Sequence, residues 1–95
     1  MIEVKKMSCG VSIQGHAHYA EPGKDIVCAA VSTLAQSLIQ SLEELCTDPI
    51  EYEMQSGSVE IRFGNLSAEA QLLVSSFFIG VKMVASEFPD NVRVE

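Results

Sequence analysis

Both histidines of this chain and one of its three cysteines lie within residues 15–28. Cys28 follows a loop that contains glycine and proline, and it falls in the first turn of a predicted helix. The positive end of a helix and a nearby imidazole each favour a thiolate, and the free N–H groups of a first helical turn can bind an oxyanion. Cys28 is therefore a candidate nucleophile. The alternative is a buried cysteine that serves as a small apolar side chain.

The two histidines are candidates for the base that a thiol nucleophile requires. His16 ends a predicted strand and His18 lies two residues further on, so in an extended segment both rings face the same side. Either ring could reach Cys28 across the loop, because the partners need be close only in space. The same histidines, with Cys28 and Asp25, form an alternative zinc-ligand set, although their spacing matches no ordinary zinc motif.

Asp25 has the residue type and position of a helix N-cap, whose carboxylate accepts the N–H of residue 27 or 28. A hydrogen bond from the Cys28 N–H would remove this donor from any oxyanion-binding site. Asp25 therefore either caps through residue 27 or points toward a histidine or a substrate, and the sequence leaves both arrangements open.

Further residues of this region could support such a site. Gly15 and Gly23 bracket the loop and are candidate hinges that would let it close over a substrate, with ordinary turn chemistry as the alternative. Tyr19 is expected either to line a groove or to cover the edge of the core. Ser32 lies one turn after Cys28 on the same helix face, where it could bind substrate or support the catalytic groups.

Alternating apolar and polar residues predict two hairpins, formed by strands over residues 2–7, 11–14, 50–54 and 59–63, and a short last strand over 91–95. Two amphipathic helices are predicted as well. The first follows Asp25, with apolar residues at 27, 31, 34, 38, 42 and 45; the second follows Ser67 and stops at Pro89, with apolar residues at 66, 70, 73, 77, 81, 84 and 88. The ββαββαβ order predicts an α+β fold with two helices packed on a mixed sheet.

The length of 95 residues predicts one small domain over residues 1–95. With 47% hydrophobic residues in so short a chain, a second copy is expected to cover part of the surface. Thirteen acidic and six basic residues give a net charge of −7, which argues against nucleic acid as a direct partner and favours a basic protein.

The three cysteines lie far apart, which predicts reduced thiols in a cytoplasmic protein. The charged, alternating N-terminus is not expected to be a signal peptide. The longest apolar run, over residues 72–81, falls short of the about 20 residues that a membrane span needs, so no membrane association is expected.

Residues 15–32 resemble the signature of the bacterial ribosomal-processing cysteine protease family, called Prp. The resemblance rests on Gly15-His16-Ala17, on Tyr19-Ala20, and on Gly23-x-Asp25-Ile26-Val27-Cys28-Ala29-Ala30-Val31-Ser32. A G-H-A element is thus joined to a D-I-V-C-A-A-V-S element by a short loop. Outside this stretch, the resemblance consists of the length and the ββαββαβ order.

The resemblance implies an endopeptidase with a Cys–His dyad, in which Cys28 is the nucleophile and His16, the histidine of the G-H-A element, is the base. Asp25 and Ser32 fall at signature positions beside the active site, with supporting or substrate-positioning roles. Position 18 departs from the family pattern, which has a small residue such as glycine there. The resemblance implies no cofactor and no metal ion.

The resemblance also implies a small homodimer whose substrate is the N-terminal extension of a large-subunit ribosomal protein, cleaved after paired phenylalanines. Helix-terminal N–H groups are expected to bind the oxyanion, and the loop is expected to close only on substrate, leaving His16 and Cys28 apart in the free protein. Two alternatives come from other classes. One is a non-catalytic module that binds a ribosomal protein or the ribosome; the other is a thiol redox or metal protein, for which no C-x-x-C pair is present.

Overall fold

The chain forms the predicted order of elements. The structure, a computed structural model, describes residues 1–95 and contains β1 Ile2–Met7, β2 Gly10–Gln14, α1 Ile26–Leu45, β3 Ile50–Gln55, β4 Ser58–Phe63, α2 Ala68–Glu87 and β5 Val92–Val94. The two predicted hairpins, β1–β2 and β3–β4, join through an antiparallel β2–β4 pair, and β5 adds to β1 in parallel. The resulting order, β3-β4-β2-β1-β5, is a mixed five-stranded sheet. The predicted α+β class is confirmed.

Each helix buries one apolar face, and the two helices contact each other on one face of the sheet. The buried helical residues are Val27, Val31, Ala35, Leu38, Ile39 and Leu42 in α1, and Ala70, Val74, Phe77, Phe78 and Val81 in α2. The predicted stripe of α1 fails at its end, where Leu45 is 72% exposed. Leu45 is the last helical residue, and the chain continues in extended conformation at Cys46, so its side chain does not reach the core.

Both helices are long and apolar enough, by length and composition alone, to cross a membrane. The core helix of a soluble protein has the same character, because it must bury an apolar face. In this fold, the apolar faces of α1 and α2 lie in one core with the strands.

The strand registers place the end of β2 beside the β3–β4 turn. Gln14 pairs with Ser58, and the Gly15 N–H donates to the Gly57 carbonyl at 2.8 Å. His16 follows directly, so the fold brings it to this turn. The chain then crosses to Asp25, where α1 begins.

Gly15 and Gly23 offer a test of how the loop is built. Both have left-handed backbones, with φ of +100° and +86°, but a Cβ at Gly15 would lie 2.2 Å from the Met1 carbonyl oxygen, whereas one at Gly23 meets nothing within 4 Å. We expect Gly23→Ala to lower the free energy of unfolding by the about 1–2 kcal/mol that left-handed strain costs. Gly15→Ala should lower it by clearly more, because the backbone must also move. Urea denaturation measures both, and equal losses would contradict the predicted clash.

Candidate active site

The predicted site residues from the loop and from α1, with the exception of Tyr19, line one groove. His16, Cys28 and Ser32 each line two cavities, of about 630 Å³ and about 310 Å³, which therefore adjoin at these residues. The larger cavity is walled by the loop up to Ile26. The smaller one lies between α1 and the β3–β4 turn and extends to Met54. Cys28 and His16 thus occupy the middle of the groove, where a peptide could pass on both sides.

Cys28 lies in the first turn of α1, as predicted, and is half-buried. Its sulfur accepts a hydrogen bond from the Ala17 N–H at 3.3 Å. No hydrogen bond joins the sulfur to either histidine ring. The helix N-terminus and the Ala17 N–H both place positive partial charge near Sγ.

Both oxygens of the Asp25 carboxylate are occupied by backbone donors. Oδ1 accepts the N–H groups of Val27 and Cys28 at 3.0 and 2.9 Å, which caps α1. Oδ2 accepts the N–H groups of Tyr19 and Ala20 at 2.9 and 3.3 Å, which fixes the loop to the helix. Asp25 therefore caps through both predicted donors and also holds the loop, and its carboxylate does not pair with a histidine.

These hydrogen bonds hold the pKa of Asp25 below its ordinary value, and the bond from the Cys28 N–H is the main cause. The N–H groups of Tyr19, Ala20 and Val27 act in the same direction, while desolvation opposes them. Asp25 is consequently a carboxylate at neutral pH, and it joins the loop to the start of α1.

The same arrangement engages three of the helix-terminal N–H groups that were predicted to bind the oxyanion. Asp25 accepts the N–H groups of Val27 and Cys28 with Oδ1 and that of Ala29 with its carbonyl, at 3.1 Å. A charged carboxylate is a strong acceptor, which favours retention of the Val27 and Cys28 donors. With these donors retained, the oxyanion at Cys28 would be bound by another N–H group.

His16 lies against the β3–β4 turn: if Gly57 carried a Cβ, that atom would be 2.6 Å from Nε2 of the His16 ring. The predicted extended segment does not continue to His18, which has a left-handed φ of 54°. Strand alternation is therefore not what brings the two rings together, but they do face the same side: they lie 6.0 Å apart and both line the larger cavity. Glycine adopts a left-handed backbone most readily, which explains why a small residue suits position 18.

The other predicted residues differ in their positions. Ser32 lines both cavities, and Gly23 lines the larger one. Tyr19 lines neither, because its ring packs edge-on against Phe88 with centroids 5.2 Å apart, so it covers the edge of the core. Gly15 allows a close backbone approach to Met1.

One residue that the sequence reasoning missed is Asn91, just before β5. Its Nδ2 donates to the Ala17 carbonyl at 2.9 Å, and its own carbonyl accepts the Ile2 N–H at 2.8 Å. No local signal marks it: it falls at the start of the predicted last strand, and an asparagine after Pro89 and Asp90 is equally typical of a turn.

The alternative zinc site is not assembled. The structure brings no three His, Cys, Asp or Glu side chains together in a way that could hold a metal ion. Both carboxylate oxygens of Asp25, the fourth ligand of the predicted set, accept backbone N–H groups instead.

The other two cysteines lie away from the histidines. Cys46 is at the far end of α1, where desolvation, with Asp48 and Glu69 nearby, raises the pKa of its thiol. Cys9 is exposed beside a separate cavity of about 720 Å³ that no histidine lines. Of the three thiols, only that of Cys28 shares a cavity with an imidazole.

Comparisons with known proteins show the family of this chain. The model of the family Cysteine protease Prp matches residues 1–93 of the chain. The ribosomal processing cysteine protease Prp of Staphylococcus aureus is 29% identical over 87 residues, which cover 88% of this chain and 82% of that protein. A crystal structure from Streptococcus mutans is 31% identical, with a TM-score of 0.86, and the match covers 100% of this chain and 92% of that one.

A crystal structure of the Staphylococcus aureus ribosomal processing protease, in complex with a covalently linked product peptide, has the same fold. Its TM-score is 0.89 at 23% identity, and the match covers 99% of this chain and 95% of that one. The family match spans nearly the whole chain and agrees with the resemblance found at residues 15–32. The chain therefore belongs to the ribosomal-processing cysteine protease family Prp and is a cysteine protease.

Proposed function

We propose that this protease is an endopeptidase that removes the N-terminal extension of a large-subunit ribosomal protein, with Cys28 as nucleophile and His16 as general acid and base. The observation that carries the proposal is the position of Cys28 at the N-terminus of α1, in a groove that His16 also lines. The substrate class is supported by the Staphylococcus aureus relative, a ribosomal processing protease whose structure contains a covalently linked product peptide.

The reaction begins when the Cys28 thiolate attacks the scissile carbonyl carbon. The C–S bond forms while the C=O electron pair moves to the oxygen, which becomes the oxyanion. The C–N bond then breaks as the protonated His16 gives its proton to the leaving amine. His16 next takes a proton from the water that attacks the thioester, and the C–S bond breaks to restore the thiolate and release the peptide acid.

This proton transfer requires His16 to approach the sulfur when substrate binds, since the two make no hydrogen bond in the free protein. Tyr19 and Ala20 are fixed to Asp25, so closure of the loop would involve mainly residues 21–24, which carry fewer bonds to the rest of the fold. These residues line the larger cavity almost throughout. Residues 21–24 would thus cover the bound substrate, and the His16 ring would complete the dyad by turning toward Cys28.

The groove suits an extended, partly apolar peptide. Ser32 and Gln36 follow Cys28 along one face of α1 and line the smaller cavity together with Met54. They are placed to contact the peptide beyond the scissile bond. The net charge of −7 would speed the encounter with a basic ribosomal protein.

Residues 1–95 would act as a single protease domain in the cytoplasm, without a cofactor, a metal ion, a membrane or direct contact with nucleic acid. The protein would be a homodimer. Its most apolar exposed helix face supports this assembly: Leu72, Ile79 and Met83 of α2 are 72%, 64% and 66% exposed.

The dimer can be tested at this face. We expect analytical sedimentation of the wild type to give twice the mass of one chain. Ile79→Lys should give the mass of a monomer, because it would bury an unpaired charge in the proposed interface at α2. Thr33→Lys, at an exposed position of α1, is the matched control and should remain dimeric. A monomeric wild type, or a dimeric Ile79→Lys variant, would contradict this interface.

The proposed function is tested with a quenched fluorescent peptide that copies the ribosomal-protein extension. We expect wild type to cleave it at one bond, identified by mass spectrometry, and Cys28→Ser to bind the peptide without cleaving it. The substitution is nearly isosteric, so the fold should remain intact. If wild type also binds without cleaving, the protein acts on this substrate as a binding module.

A further inference from the structure

The oxyanion of the proposed reaction needs a donor, and the three N–H groups of α1 at and beside Cys28 are already engaged. Val27, Cys28 and Ala29 all donate their N–H groups to Asp25. Given the proposed nucleophile, we infer that the backbone N–H of Ala17 is the oxyanion donor and that Asn91 is the residue that positions it.

The Ala17 N–H is the one hydrogen-bond donor aimed at the sulfur, at 3.3 Å from Sγ. When the thiolate attacks, negative charge moves from the sulfur to a carbonyl oxygen that lies only two bonds away in the adduct. A donor already directed at the sulfur needs little reorientation to follow that charge. The same N–H would therefore stabilise the thiolate first and the oxyanion next.

The surroundings of Ala17 make this donor effective. Ala17 is 2% exposed, so its peptide group is shielded from water. A hydrogen bond to a charged oxygen is stronger in such a shielded environment than in water. Tyr19, two residues later, donates to Asp25 and packs on Phe88. The N–H is thus held in place before the substrate arrives, which is the condition for efficient oxyanion stabilisation.

Asn91 fixes the other side of the same residue. Its Nδ2 donates to the Ala17 carbonyl at 2.9 Å, while its own backbone is bonded to Ile2 and Phe88. With its carbonyl held and its methyl group buried, Ala17 keeps its N–H directed at Cys28. Asn91 does not reach the sulfur itself, so it acts only through this orientation.

The direct experiment removes one N–H and leaves every side chain in place. A synthetic thioester of residues 1–27 is ligated to recombinant residues 28–95, whose N-terminal Cys28 makes the ligation feasible, and the full chain is refolded. In one protein Ala17 is replaced by lactic acid, which turns its amide into an ester. In the matched control Ala20, which donates to Asp25 at 3.3 Å, is replaced in the same way.

We expect the ester at Ala17 to lower kcat by about 10²-fold or more, the effect of losing one oxyanion donor. The ester at Ala20 should lower it by at most about tenfold, because its N–H is directed at Asp25 and not at the sulfur, and its bond of 3.3 Å is long. Equal kcat values for the two esters would overturn the assignment. If the all-amide protein made by the same route does not cleave the peptide, the proposed function fails, and this inference fails with it.

Asn91→Asp is the second variant, because it loses the donor while keeping the size of the side chain. We expect kcat to fall by about tenfold or more, with KM little changed. A peptide aldehyde forms an adduct with the thiol that places an oxygen at the oxyanion position. This aldehyde should bind to the variant more weakly by a similar factor. The affinity for the matching peptide amide, measured in the Cys28→Ala background, should stay constant. If stability falls while kcat and aldehyde affinity do not, Asn91 has a structural role only and the positioning assignment is wrong.

Discussion

His16→Ala is expected to lower kcat for the ribosomal-protein peptide by about 10²–10⁴-fold, the usual contribution of general acid–base catalysis. His18→Gly is expected to keep most of the activity. His16 lies where both cavities meet at Cys28, whereas His18 lines only the larger one. Glycine also suits the left-handed backbone of position 18, where φ is 54°.

The measurement is steady-state cleavage of the quenched peptide by both variants, with Cys28→Ala as the inactive reference. Thermal unfolding of each variant shows whether a loss of activity is merely a loss of fold. His18→Gly should be about as stable as wild type, because relief of the left-handed strain offsets the greater freedom of glycine in the unfolded chain. An inactive, folded His18→Gly with an active His16→Ala would assign the base to His18 instead.

The local parts of this structure could be read from the sequence. Strand alternation predicted both hairpins, and the type and position of Asp25 predicted the start of α1. The G-H-A and D-I-V-C elements lie on the two chain segments that meet at the groove, so the resemblance found there concerned neighbouring parts of the site. Each of these features depends on a few adjacent residues, which is the range over which sequence patterns carry information.

The contacts between distant segments could not be read in the same way. Asn91 meets Ala17 because β5 pairs in parallel with β1, and His16 meets Gly57 because β2 pairs with β4. Periodicity shows which face of a strand is buried, but it does not say which strands become neighbours. The capping rule likewise predicted the donors for one oxygen of Asp25 and gave no information about the loop that occupies the other.

Asp25→Asn is expected to lower kcat/KM by about 10²-fold, because the helix start and the loop that carry Cys28 and Ala17 would lose their common anchor. The amide retains a single acceptor oxygen, so it cannot replace both oxygens of the carboxylate. Asp48→Asn is the matched control. Asp48 accepts the backbone N–H and the hydroxyl of Ser67 at the start of α2, both at 2.7 Å, and lies away from the groove. We expect it to lower stability while kcat/KM remains near that of the wild type.

The pH dependence of stability distinguishes the role of the negative charge of Asp25 from that of its side-chain shape, which Asp25→Asn keeps. Because hydrogen bonds from the Cys28 N–H and its neighbours lower the pKa of Asp25 in the folded state, its contribution is fully present above the unfolded value of about 4. It is lost as the pH falls through the lower, folded pKa. The stability difference between wild type and Asp25→Asn, measured by urea denaturation, should therefore be constant near neutral pH and shrink in strong acid. Asp48→Asn should show the same trend, since hydrogen bonds from Ser67 lower the pKa of Asp48 as well.

Only the activity measurement then distinguishes the roles of Asp25 and Asp48. Both carboxylates anchor the start of a helix, but only α1 carries the proposed nucleophile in its first turn. If Asp25→Asn folds with wild-type kcat/KM, the geometry around Cys28 does not depend on this anchor, and the groove residues themselves must hold the sulfur in place. If Asp48→Asn loses activity as strongly as Asp25→Asn, the loss reflects stability alone. A loss confined to Asp25→Asn would show that one carboxylate, through four backbone donors, both starts α1 and sets the position of the thiol.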